Sequence, residues 1–165
     1  MFRGKNFWIS LPTLILALVM SISSVQAQQP VEWTQCFAGT MVTSVASTEL
    51  TIFTIESKGI TMSNHGSKLF NNMSSHCLGA WKIVAGQKTM ITYSKYMDSD
   101  GDFVVLETTD VPGQKEDAWK FIHGTGKWKG IKGSGKWAVI ARGKPMAPGT
   151  FHNCYKATGT FELAK

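Results

Sequence analysis

The chain has 165 residues, with 17 Lys and Arg against 11 Asp and Glu, for a formal net charge of +6. At 43% hydrophobic and 17% charged residues it is neither a disordered chain nor a polytopic membrane protein, and its length suits one domain with a real core. It carries no Walker loop, His-Glu-x-x-His, Gly-x-Ser-x-Gly or paired Cys-x-x-Cys, so the chemistries that announce themselves by those motifs have no local signature here.

The first segment reads as an address. Arg3 and Lys5 precede the apolar run Phe7–Met20, and small polar residues follow, closing on Val25-Gln26-Ala27. This is the charged, apolar and small-residue order of a cleavable secretory signal peptide, expected over residues 1–27. The 14-residue apolar run is shorter than the roughly 20 residues a membrane-spanning helix needs. No cysteine sits at the junction, which argues against a lipoprotein anchor. Cleavage leaves residues 28–165 as a single β-barrel domain, periplasmic or secreted. With Arg3 and Lys5 gone, 15 of the 17 basic side chains remain against 11 acidic ones, a net +4. So mild a charge predicts no nucleic-acid partner, and cleavage leaves no stable membrane insertion. Export also places the three cysteines where disulfides persist, as one bridge and one leftover thiol.

Beyond Ala27 no sustained helical periodicity occurs. Runs rich in β-branched and aromatic residues recur between clusters of Gly, Asn, Asp, Ser and Pro. They predict strands near Thr34–Thr43, Glu49–Glu56, Gly59–Ser63, Met73–Val84, Lys88–Met97, Asp102–Thr109, Ala118–His123, Gly135–Arg142 and Thr150–Leu163. Asn64–Asn72 reads as the loosest loop. The near-repeat Gly124-Thr-Gly-Lys-Trp128 and Gly133-Ser-Gly-Lys-Trp137 is too short for a solenoid unit. It predicts a glycine-rich turn containing one helical turn, with Thr125 at the N-cap position and Trp128 and Ile131 on one side. Eight or so antiparallel strands give a closed barrel or else a sandwich.

The stretch His123-Gly-Thr-Gly-Lys-Trp-Lys-Gly-Ile-Lys-Gly133 resembles the glycine signature of the allene oxide cyclase and dirigent barrels, carried here by Gly124, Gly126, Trp128, Gly130 and Gly133. His76-Cys77-Leu-Gly79, Asp98-Ser-Asp-Gly-Asp102 and Cys154-Tyr-Lys-Ala-Thr-Gly-Thr-Phe-Glu-Leu163 extend the resemblance, which is closer to small exported bacterial proteins of that superfamily than to the plant barrels. The resemblance implies an all-β, eight-stranded antiparallel barrel of the calycin-like, allene oxide cyclase type. It also implies a trimer, as in the plant relatives. Apolar residues on both faces of Met90-Ile-Thr-Tyr93 and Phe103-Val-Val-Leu106 would give such a homo-oligomer its covered surface. Lipocalins are barrels of similar size, but their Gly-x-Trp lies on the first strand, and here Gly126-Lys-Trp128 and Gly135-Lys-Trp137 come late.

Several constellations invite a chemical reading. The interleaved Trp119, Trp128, Trp137 and Lys120, Lys127, Lys129, Lys132, Lys136 could stack and neutralise an oligonucleotide. Inward tryptophans and solvated lysines are the simpler account. Asp98, Asp100 and Asp102 alternate like calcium ligands, but Phe103 and Thr109 stand where a helical calcium loop needs Gly and Glu. A turn on Asp100-Gly101 is expected instead. His152 and Cys154 share a strand face, and Cys36 or His76 could complete a zinc set. Without paired ligand spacing, neither a metal nor a cofactor is expected. The plant cyclases imply a carboxylate inside the barrel, for which Glu56 and Glu107 are the candidates.

Closing an antiparallel barrel brings its first and last strands together, which pairs Cys36 with Cys154. Cys77 is the competing partner. Reflection through the Ala85–Gly86 turn places Cys77 opposite Ser94, where the resemblance implies a second cysteine that this chain lacks. The expected function is a binding or structural module for a small, mainly apolar ligand in the lumen. The alternatives are an isomerase or cyclase of a lipid-derived substrate and an envelope protein binding anionic glycan or lipid through its lysine-rich face.

Overall fold

The computed structural model describes residues 28–111 and 113–163, so the predicted signal segment and its cleavage site lie outside it. Eight strands follow in order: β1 (Gln29–Ala46), β2 (Leu50–Ser63), β3 (Ser74–Val84), β4 (Gln87–Met97), β5 (Phe103–Thr109), β6 (Asp117–Gly124), β7 (Lys132–Gly143) and β8 (Thr150–Glu162). Each pairs antiparallel with its sequence neighbour, and β8 pairs back onto β1 to close the barrel. Closure decides between barrel and sandwich, because the described strands form one continuous sheet without a free edge instead of two sheets packed face to face.

Nine predicted strands become eight because Glu49–Glu56 and Gly59–Ser63 are one strand. Gly59 faces inward opposite Phe37, and a Cβ there would strike the Phe37 side chain and the Cys36 carbonyl. The glycine that reads as a break is a site of close approach within a continuous ladder. β1 also begins earlier than its β-branched core suggests, since Gln29–Thr34 pairs with β8 out to Phe161. Register shifts at Thr43/Val45, Val105/Leu106 and Val139/Ala141 supply the local bends that closure needs.

Strand parity sets the interior. Val31, Trp33 and Gln35 on β1, Val104, Leu106 and Thr108 on β5, and Trp119 and Phe121 on β6 are buried, while their neighbours face out. The two barrel ends differ. At one end the 64–73 loop turns inward, with Phe70 and Asn72 at positive φ, and Leu69, Phe70 and Met73 are fully buried. The Phe70 ring stacks on Trp33 at 3.7 Å and meets Tyr96 edge-on at 5.1 Å. The segment that reads loosest is therefore the plug of the barrel.

The glycine signature closes the same end. Gly126–Trp128 forms one 3-10 turn after Thr125, and Trp128 and Ile131 join the buried cluster. Thr125 occupies the N-cap position without capping the turn through its side chain. Its hydroxyl instead accepts the Phe103 backbone N–H at 2.9 Å, tying the turn to β5. Gly126 sits at φ +48°, and a Cβ there would run into the Asp102 carboxylate. Asp98–Asp102 is a tight turn in which Asp98 Oδ1 accepts backbone N–H bonds from Asp100 and Asp102. Asp98 and Asp100 both pair with Lys127, so a lysine ammonium occupies the place where the spacing suggests a cation.

Candidate functional site

At the other end, where the β1–β2, β3–β4, β5–β6 and β7–β8 connections gather, no side chain among the described residues fills the lumen. A cavity of about 230 Å³ remains between the mouth and the plug. Around it Gly39, Gly59 and Gly79 take inward positions where a Cβ would strike the neighbouring strand. The walls are aromatic and aliphatic, chiefly Phe37, Phe53, Trp81, Trp137, Phe151 and Tyr155. Phe37 and Tyr155 stack with centroids 5.1 Å apart, and Trp137 meets Tyr155 edge-on at 6.1 Å. The Trp137 indole N–H donates to Thr108 Oγ1 at 3.2 Å, which fixes that ring as wall.

The floor is polar. Tyr96 donates its hydroxyl proton to Gln35 Oε1 at 2.7 Å, and Gln35 Nε2 donates to Ser75 Oγ at 2.9 Å. Gln35 is 1% exposed, yet it lies on the same face as Trp33 and Phe37. Beside this pair stands the free, buried Cys77 thiol, with the Ser94, Thr92 and Ser57 hydroxyls around it. Cys77 lies directly opposite Ser94 on β4 and Ser57 on β2. Burial pushes both the Cys77 thiol and the Tyr96 phenol up, so neither ionises near neutral pH. Cys77 is thereby a poor nucleophile.

One carboxylate lines the cavity among the described residues, that of Asp117 near the mouth. It pairs with Lys88 Nζ at 3.1 Å, and the same ammonium lies 4.8 Å from the Trp81 ring centroid. Sequence reading passed over Asp117 and Lys88 because each sits beside a turn in ordinary charged company. Gln35 carried a better signal, a lone amide between Trp33 and Phe37 on a mostly apolar strand face.

Glu56 and Glu107 both lie on the outer wall. β2 turns Phe53 and Ser57 inward and β5 turns Leu106 and Thr108 inward, so parity sends the intervening carboxylates outward. Glu56 meets His76 Nε2 at 2.9 Å, and Glu107 meets Lys120 Nζ at 2.7 Å. The Lys120 ammonium holds the Glu107 carboxyl below the usual carboxylate range. Neither can reach a molecule in the lumen, so the catalytic role that the resemblance implies has no carrier at these positions.

Cys36 and Cys154 form a disulfide across directly opposed positions of β1 and β8, on the outer wall. Both sulfurs are thus withdrawn from any zinc set with His152 or His76. Of the tryptophan–lysine stretch, Trp119, Trp128 and Trp137 are buried and all five lysines are exposed. Buried rings offer no outer platform for bases, whereas Trp137 contributes to the lumen wall.

No protein-family model matches the chain, and no curated protein matches it. Solved structures do. The pterocarpan synthase dirigent protein GePTS1 superposes with a TM-score of 0.52 over 96% of this chain and 100% of its own, at 9% identity. The pterocarpan synthase dirigent protein PsPTS1 gives 0.52 over 83% of this chain and 97% of its own, also at 9% identity. The likeness is one of fold: both neighbours are dirigent proteins, and this chain shares their eight-stranded barrel.

Proposed function

We propose that the protein is an exported barrel, residues 28–165 after cleavage, that binds a small, mainly apolar ligand in its lumen. The observation that carries the reading is the cavity itself, open at one end, walled by aromatic rings and stopped by a plug. A lumen meant only for stability would be filled with side chains, because empty apolar space costs packing contacts. At about 230 Å³ it holds the volume of some seven or eight waters, enough for a molecule of one or two rings. The two neighbouring barrels are named as pterocarpan synthases. This reading takes from them only that such a barrel can serve a small organic molecule.

Export draws support from the tripartite N-terminus and from the disulfide, which suits an oxidising compartment. N-terminal sequencing of the protein from its native host should begin at Gln28. Intact Met1 on a soluble cytoplasmic product refutes export and cleavage.

Lumen binding is tested by screening one- and two-ring aromatic compounds by saturation-transfer NMR against the wild type and Ile55→Trp. Ile55 lines the wall, and the larger ring narrows the cavity. Binding by the wild type that the variant loses supports the reading. Equal binding by both, or binding by neither, refutes it.

A further inference from the structure

The lumen changes chemistry from wall to floor, and we propose that the floor recognises an uncharged oxygen-bearing group, a hydroxyl or ketone, on the end of the ligand that enters first. This rests on the lumen reading above and specifies its ligand.

Five neutral polar side chains converge there: Gln35, Cys77, Thr92, Ser94 and Tyr96. Their mutual bonds leave capacity unused. Gln35 accepts from Tyr96 and donates one amide hydrogen to Ser75, which leaves its second amide hydrogen. Tyr96 donates, and its oxygen can still accept. Behind Cys77, Ser57 is 2% exposed, and its hydroxyl has no hydrogen-bond partner among the described residues.

Three ligand ends can be compared on this floor. A hydrocarbon end dries these groups and returns no hydrogen bond, which is the costly way to bury polar atoms. A carboxylate meets no cation there, because the nearest charged lining group is Asp117 at the mouth, itself paired with Lys88. An unpaired buried carboxylate costs far more than a neutral group. A hydroxyl or ketone uses the spare amide hydrogen and the side-chain hydroxyls without bringing charge inward. The walls constrain the rest of the molecule, since stacked Phe37 and Tyr155 with Trp81 and Trp137 favour a flat apolar body. The upward displacement of the Cys77 and Tyr96 pKa values by burial fits so poorly solvated a floor.

The test is calorimetric titration of the purified protein at pH 7.5 with three matched probes: 4-propylphenol, propylbenzene and 4-propylbenzoate. The phenol should bind about tenfold more tightly than propylbenzene. It should exceed the benzoate by roughly a hundredfold or more. Ser94→Ala should narrow the preference for the phenol over propylbenzene, and Ser94→Ala with Tyr96→Phe should reduce it to under about threefold while propylbenzene affinity holds. Should the double variant fail to fold, Ser94→Ala alone decides, with circular dichroism checking its fold. Equal affinity for phenol and propylbenzene in the wild type, or tight binding of the benzoate, overturns the floor assignment and leaves lumen binding standing. Failure of all three probes to bind overturns both.

Discussion

Removing the disulfide with Cys36→Ala/Cys154→Ala should destabilise the barrel through the unfolded state. The bridge joins residues 118 apart in sequence. In the chain-entropy account, a loop of that length restricts the unfolded ensemble by about 4.9 kcal/mol at 25 °C. The folded state loses little, because the β1–β8 ladder holds the same two strands in register from Gln29 to Thr40. Both cysteines face outward and contribute nothing to the buried cluster, so truncation opens no core cavity. With a urea slope of about 2 kcal/mol/M for a domain of this size, the unfolding midpoint should fall by about 2.4 M. The slope itself should rise, since an uncrosslinked chain exposes more surface, and the comparison belongs on extrapolated free energies as well as midpoints. Cys77→Ala serves as the control that keeps the bridge. A midpoint shift below about 0.5 M for the double variant would refute the loop-closure reasoning.

Three other predictions follow from packing, charge and surface. Gly159 lies opposite Gly135 beneath the Trp119 ring, and a Cβ there meets the Ser134 carbonyl and Trp119. Gly159→Ala should therefore cost about 3 kcal/mol in thermal melts, against about 1 kcal/mol for Gly101→Ala, where only positive φ is strained; equal losses would contradict the contact. Burial alone would raise the Asp98 pKa, but the Lys127 ammonium, the Trp128 indole N–H and the Asp100 backbone N–H together hold it below the usual value. Because the folded pKa is depressed, its stabilisation is present above the unfolded value of about 3.9 and disappears as pH falls through the folded one. Urea midpoints measured from pH 6 down to pH 2.5 should thus fall less steeply for Asp98→Asn than for the wild type, and parallel curves would sink the argument. Leu78, Tyr93 and Ile91 are 51%, 44% and 39% exposed on adjacent outer strands. Sedimentation velocity at tens of micromolar should show self-association through this face, weakened by Tyr93→Glu, and a clean wild-type monomer would count against it.

The barrel was legible because its signals are local and periodic. Alternation gave the strands, and glycine, proline and acidic clusters gave the turns. The Ala85–Gly86 hairpin fixed Cys77 opposite Ser94 by arithmetic alone, and the structure shows that register. What misled was residue type taken without its cross-strand partner. Gly59 reads as a break until Phe37 is placed opposite it, and Asn64–Asn72 reads as a loose loop until Phe70 is seen stacked on Trp33. Both corrections are long-range packing effects, and no window of sequence contains them.

The candidate site was harder to read for a related reason. Glu56 and Glu107 drew notice as carboxylates on apolar strands, yet a shift of one residue reverses which face a side chain occupies. Parity placed both outside, and the side chains they meet, His76 and Lys120, come from neighbouring strands. The residues that do reach the lumen floor are neutral, and neutrality carries no motif. Gln35, Tyr96 and Ser94 come from two strands far apart in sequence, and they become a site only because closure sets β1 across the lumen from β4. On the proposed reading, such a barrel keeps its specificity in inward positions that are chemically quiet one by one. Polarity at a buried parity position therefore marks such a site better than charge does.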